Sequence, residues 1–207
     1  MHIHNLTGCL IIFVSCLLAS ACSHTTAERI KASVNAPKAE VALFSHCSSY
    51  GCQKVQQVSF EPIEWQSIIS KFDKMPDSAE EERELLPHAI ALMEKIVGPK
   101  TGTADDIGKS WLFTLMPKGQ LDCIDESINT TTYLEILNDA GFIKYHDIGR
   151  IALRGGGFDF TMLHNTATLI QKDSGDSYAV DSWFRANGVK PDVMPLSVWL
   201  DGWGPSS

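Results

Sequence analysis

The sequence predicts an α+β domain in which a central helix, opening at Cys123, packs on an antiparallel sheet. Three observations carry that prediction. Apolar residues recur at helical spacing through residues 77–98 and 123–139, while residues 143–153, 164–171 and 178–181 read as strands. The helix from Cys123 contains Thr130-Thr131-Thr132, a run of poor helix propensity that tertiary packing must hold. The chain has 207 residues, enough for one good core and too few for two full domains.

Bulk properties narrow the function. The net charge is −8, with no Lys/Arg cluster, which argues against a nucleic-acid partner. Residues Leu10 to Ala21 are almost wholly apolar, carry no Asp, Glu, Lys or Arg, and end in small residues. That is too short for a membrane span and has the length of a signal-peptide apolar region. Ala19-Ser20-Ala21 satisfies the A-x-A cleavage rule, so residues 1–21 are expected to be removed. Leu18-Ala19-Ser20-Ala21-Cys22 also resembles a bacterial lipobox, which implies lipidation of Cys22 and a membrane attachment through that lipid. By the same resemblance Ser23, in place of an inner-membrane retention aspartate, implies the outer membrane and a periplasmic-facing domain. Simple secretion is the alternative. Residues 22–38 are small and polar and read as a tether, leaving residues 39–207 as one domain.

Cysteine counting follows from export. Of six cysteines, Cys9 and Cys16 leave with the signal and Cys22 takes the lipid, so Cys47, Cys52 and Cys123 remain in the mature body. Cys47 and Cys52 flank a short polar loop, Ser48-Ser49-Tyr50-Gly51, and are expected to bridge in an oxidising compartment. His46 beside them does not complete a zinc set, because no second cysteine pair or His-x-x-x-His follows. Cys123 is left unpaired: either a buried small hydrophobe or a thiol in use.

In order, Val41-Ala42-Leu43-Phe44 and Val55 to Phe60 read as two short strands across the Cys47/Cys52 loop. Pro62 through about Phe72 reads as a short amphipathic helix, broken at Asp73-Lys74-Met75-Pro76. Asp77 with Glu80 forms a capping-box pattern for a longer helix that Gly98-Pro99 ends, with Pro87 inside it as a kink or a late start. Lys109 to Met116 carries Trp111, Leu112 and Phe113 towards the core. Gly155-Gly156-Gly157 lacks the following Gly-Lys-Ser/Thr of a phosphate loop and reads as a plain loop or as backbone close to a substrate; no cofactor signature is present. Asp173-Ser174-Gly175-Asp176 is a turn between two antiparallel strands. Residues from Trp183 through Pro191 form an irregular tail, and Pro195 to Trp203 a short docked helix.

Cys123 lies where a helix N-terminus presents unpaired N–H groups that favour a thiolate. His164 opens one strand of the hairpin and Asp181 closes its partner. Cysteine, histidine and carboxylate are the parts of an activated thiol nucleophile: Cys123 attacks, His164 takes its proton, and Asp181 orients the imidazole. A tight turn centred on Ser174-Gly175 sets Asp181 opposite Thr168, and a bulge or longer loop is needed to bring it to His164.

Asp122-Cys123 at a helix start, His164 at a strand start and Asp181-Ser182-Trp183 at the next strand's end resemble the transglutaminase-like superfamily, and among its branches the bacterial transglutaminase-like cysteine proteinases. The likeness covers roughly residues 77–203. It implies a papain-like core and a Cys123–His164–Asp181 triad acting on peptide or amide carbonyls of a protein or peptide substrate. It also implies an oxyanion donor beside the Cys123 N–H, for which Gln120 is the candidate with Trp111 behind it. Some relatives bind calcium through carboxylates after the cysteine; Asp125 and Glu126 stand there but are equally ordinary first-turn acids, and no metal is expected. Ile124 stands where close relatives often carry an acid, and Leu121 where they carry a small residue. Proteolysis, amide hydrolysis and cross-linking share one thioester and stay open, as does a non-catalytic binding or assembly module on the same fold.

Overall fold

The structure, a computed structural model, describes residues 25–34, 38–110, 118–156 and 163–205. Cys22, Trp111 and the expected signal segment, residues 1–21, lie outside the described residues. The described chain is mixed α and β, and its sheets are antiparallel throughout.

The centre is α4, Cys123–Asp139. Its residues from Asp125 to Leu134 are all buried, so it is enclosed around most of its circumference rather than amphipathic. Two of its three threonines turn their hydroxyls back onto the preceding turn, Thr131 Oγ1 to the Ser127 carbonyl at 2.6 Å and Thr132 Oγ1 to that of Ile128 at 2.9 Å. That satisfies buried hydroxyls without a second partner, which is how a threonine run survives inside a core helix.

A sheet of β3 (His146–Ile148), β5 (His164–Gln171), β6 (Ser177–Asp181) and β7 (Asp192–Pro195) lies against α4 in that order, and β4 (Ala152–Arg154) extends the β3 side of β5. Ala167, Leu169 and Val180 meet Tyr133, Leu134 and Leu137 of α4 in the main core, which α3 (Ala79–Thr101) completes with Leu86, Ile90 and Met93. A hairpin of β1 (Phe44–Ser48) and β2 (Lys54–Val58) packs beside α4, with α2 (Pro62–Ile69) leading on into a 3-10 turn at Ser70–Phe72.

Five expectations change. The first strand lies not at Val41–Phe44 but at β1, Phe44–Ser48, so Cys47 is within the strand. Residues 22–38 are not all tether: α1 (Thr26–Val34) is a helix docked on α4, with Ala27 fully buried and ion pairs from Lys31 to Glu135 at 2.6 Å and from Glu28 to Arg150 at 2.7 Å. α3 is capped by Ser78, whose hydroxyl accepts from Glu81 N, while the Glu81 carboxylate accepts from Asp77 N; it continues through Pro99 to a left-handed cap at Gly102. Gly98-Pro99 does not end it: the helix runs on although the proline has no N–H to give to the preceding turn, and the break comes at Gly102. The expected strand over 143–153 splits into β3 and β4 at Gly149, where a Cβ would stand 2.2 Å from Thr168 Oγ1. The tail after Trp183 contains β7, which pairs with β6 and leads straight into α5 (Leu196–Leu200).

Candidate active site

The start of α4 is held by reciprocal caps. Asp122 Oδ1 accepts from Ile124 N at 3.0 Å and Asp125 N at 2.9 Å, and Asp125 Oδ2 accepts from Asp122 N at 3.2 Å. The chain reaches this cap over Gly119, whose φ of +82° and approach to the Gly102 carbonyl (2.3 Å from an added Cβ) leave no room for a side chain. Asp106 then fixes the approach by accepting from Leu121 N at 2.8 Å.

Gln120, the expected oxyanion donor, is used elsewhere. Its Oε1 accepts from Ile107 N and Ser110 Oγ, and its Nε2 donates to the Asp105 carbonyl at 2.8 Å, so its amide holds the 105–110 loop together. The amide at the sulfur is Asn165, with Nδ2 3.7 Å from Cys123 Sγ; the Leu163 carbonyl lies 3.9 Å from the same sulfur. Burial pushes the Cys123 thiol up to about 11. The Asn165 hydrogen bonds pull the other way, while the charges of Asp122 and Asp181 add to the rise. The resting thiol is therefore protonated at neutral pH.

His164 and Asp181 are brought together. The pairs Ala167 with Val180 and Ile170 with Ser177 show a four-residue loop at Lys172–Gly175, closed by Gln171 N donating to the Asp176 carbonyl at 2.8 Å. Continued, that register sets Asp181 opposite Thr166, two residues nearer His164 than the tight turn allows. A diagonal contact then closes the gap, with His164 Nε2 to Asp181 Oδ2 at 2.7 Å. The same carboxylate oxygen accepts from Trp199 Nε1 at 2.6 Å, and Oδ1 accepts from Trp183 N at 3.2 Å. Trp183, Phe184 and Trp199 surround the imidazole at centroid distances of 4.6, 5.2 and 5.4 Å. Arg154 stacks on Trp199 at 4.4 Å and donates to the carbonyls of Trp199 and Trp203, closing the C-terminal segment over this pocket. With Nε2–H given to the carboxylate, Nδ1 is the ring nitrogen left for a second partner; it is buried and has none among the described residues.

The thiol and the imidazole are not hydrogen-bonded to one another. Along β5, Asn165, Ala167 and Leu169 alternate with His164, Thr166 and Thr168, so the amide at the sulfur and the imidazole come from successive residues. The two residues that touch the sulfur are the chain neighbours of His164. Reading the strand for its histidine alone misses Asn165, the residue after it.

Asp125, the acid considered for calcium, is spent on backbone: Oδ2 accepts from Tyr50 N at 2.9 Å and Oδ1 from Cys52 N at 2.6 Å. These donors belong to the loop closed by the Cys47–Cys52 disulfide, which is formed. Ser49, Tyr50 and Cys52 in it have φ of +72°, +61° and +59°, a conformation that costs a non-glycine residue about 1–2 kcal/mol. Comparison with protein-family models, curated proteins and solved structures found no match.

Proposed function

We propose that this chain is an exported, lipid-anchored cysteine acyl-transfer enzyme of transglutaminase-like type, with a papain-like arrangement of Cys123, His164 and Asp181. The observation that supports it is the oriented His164–Asp181–Trp199 chain, which ends in an Nδ1 without a partner among the described residues, at the strand end whose flanking residues hold the sulfur. In this reading His164 Nδ1 takes the thiol proton as an amide or ester carbonyl arrives. Sγ bonds to the carbonyl carbon, and the oxyanion is met by the Cys123 N–H, free at the first helical position, and by Asn165 Nδ2. His164 returns the proton to the leaving group, and water or an amine resolves the thioester. The anchor is a lipid on Cys22 and the setting is the periplasmic face of the envelope; Cys22→Ala should move the protein from the membrane to the soluble fraction.

Nitrophenyl acetate tests the chemistry without a known substrate. The mature protein should release nitrophenolate, Cys123→Ser should not, and His164→Ala should be slower by about two orders of magnitude or more. A second reading, a non-catalytic binding module of the envelope, is favoured by one observation: the sulfur rests against Asn165 and the Leu163 carbonyl with no hydrogen bond to the imidazole. Equal nitrophenolate release from wild type and His164→Ala would decide for that module.

A further inference from the structure

Asp125 is two residues beyond the nucleophile candidate and belongs to two structures at once. As the third residue of α4 it accepts from Asp122 N, completing the cap that fixes the turn bearing Cys123. As the anchor of the disulfide loop it accepts from Tyr50 N and Cys52 N. Those N–H groups converge because Ser49, Tyr50, Gly51 and Cys52 are four successive left-handed residues (φ +72°, +61°, +70° and +59°), which turn their amides to one side. Three of the four are not glycine, so the loop holds this shape only while it is closed; the Ser48–Lys54 pair of the β1–β2 hairpin and, inside it, the Cys47–Cys52 bridge close it. Asn129, a turn further along α4, grips the same loop by accepting from Cys47 N at 2.8 Å and donating to its carbonyl at 2.9 Å. Cys47 itself packs against Ile128, with Ile124 alongside.

We infer that Asp125 is a positioning residue through which the Cys47–Cys52 disulfide controls Cys123: the closed bridge holds the loop amides on the carboxylate and the first turn of α4 in place, and opening it frees that turn. This regulation of the candidate site rests on the proposed role of Cys123. A small dithiol supplies two electrons and two protons, giving two cysteine thiols and the oxidised cyclic dithiol. Ser49, Tyr50 and Cys52 can then relax to right-handed conformations, drawing their N–H groups away. Asp125 is left as a buried carboxylate stripped of two donors, and the turn that holds the half-buried Cys123 against Asn165 loosens.

The test measures iodoacetamide alkylation of Cys123 in the full-length protein, quantified on the Cys123 peptide across pH 7–11. It compares the oxidised wild type, the dithiol-reduced and then reoxidised wild type, Cys47→Ser/Cys52→Ser, Asp125→Asn and the triple variant. Opening the bridge should lower the apparent thiol pKa towards the free-cysteine range, with the rate at pH 8 rising about tenfold per unit. Reoxidation should restore the original profile. Asp125→Asn should move the profile in the same direction, and the triple variant should resemble the bridge-open protein, because both changes cut one link. An unchanged profile on opening the bridge, or additive effects in the triple variant, would overturn the inference. Reduction of the folded wild type keeps the test valid if the serine variants fail to fold. Failure of the acyl-transfer reading is separate, since it shows as nitrophenolate release indifferent to His164→Ala whatever the bridge does.

Discussion

The start of α4 and the start of β5 flank one sulfur and are built from opposite materials. Around Cys123 the fixing groups are carboxylates on backbone amides: Asp122 on its own helix, Asp106 on Leu121, Asp125 on the disulfide loop. Around His164 the fixing groups are rings: Trp183, Phe184 and Trp199, with Asp181 as the one charged partner, itself held by an indole N–H. Carboxylate clamps are directional but titrate, and each costs free energy when burial opposes its charge. Ring packing is less directional and indifferent to pH. The half of the site that must hold a backbone turn uses the first device, and the half that must hold a planar base uses the second.

The contrast can be broken at several points. Asp181→Asn should have the largest effect, because it removes the charge that stabilises an imidazolium and fixes its tautomer; nitrophenolate release should fall by about three orders of magnitude. The next effect is on stability against pH. Burial pushes Glu94 up to about 8 and Asp106 up to about 6. Burial, with the Asp122 charge, pushes Asp125 up to about 7. Groups whose folded pKa lies above the unfolded value stabilise fully below the unfolded pKa and lose that contribution as pH rises through the folded one. The melting temperature should therefore fall between pH 5 and 8, by the equivalent of a few kcal/mol at most, and Glu94→Gln should flatten the slope. A melting temperature that rises over the same window would contradict the assignment. Trp199→Phe keeps a ring and deletes the donor at 2.6 Å from Asp181; chemical denaturation should show a loss of about 1.5–3 kcal/mol. Asp122→Ala should be smallest, about 1 kcal/mol of a lost cap, because Asp125 still tethers the turn.

The same contrast marks what was legible in the sequence. Local chemistry was: Cys123 opens its helix because Asp122 is a strong cap, and the residues 164–171 form a strand as their β-branched alternation predicts. The Cys47–Cys52 bridge follows from spacing and compartment. Non-local geometry was not. The loop at Lys172–Gly175 differs from a two-residue turn by one pair, and that choice moves Asp181 by two positions. β7 is four residues long with proline at its end, and its strand character comes from pairing with β6. α1 lacks an apolar stripe wide enough to notice; Ala27, Ile30 and Val34 suffice only because the bridge, Ile128 and Ile151 offer a matching surface. Asn165 escaped because the histidine beside it drew the reading.

The docking of α1 has a consequence for reach. If the chain enters the membrane at Cys22, three residues separate the lipidated residue from the first helical turn, a leash of at most about 14 Å when fully drawn out. A helix pinned by Glu28–Arg150 and Lys31–Glu135 cannot unspool to lengthen it while those contacts last. A lipid on Cys22 would then hold the start of the folded domain within that distance of the bilayer surface.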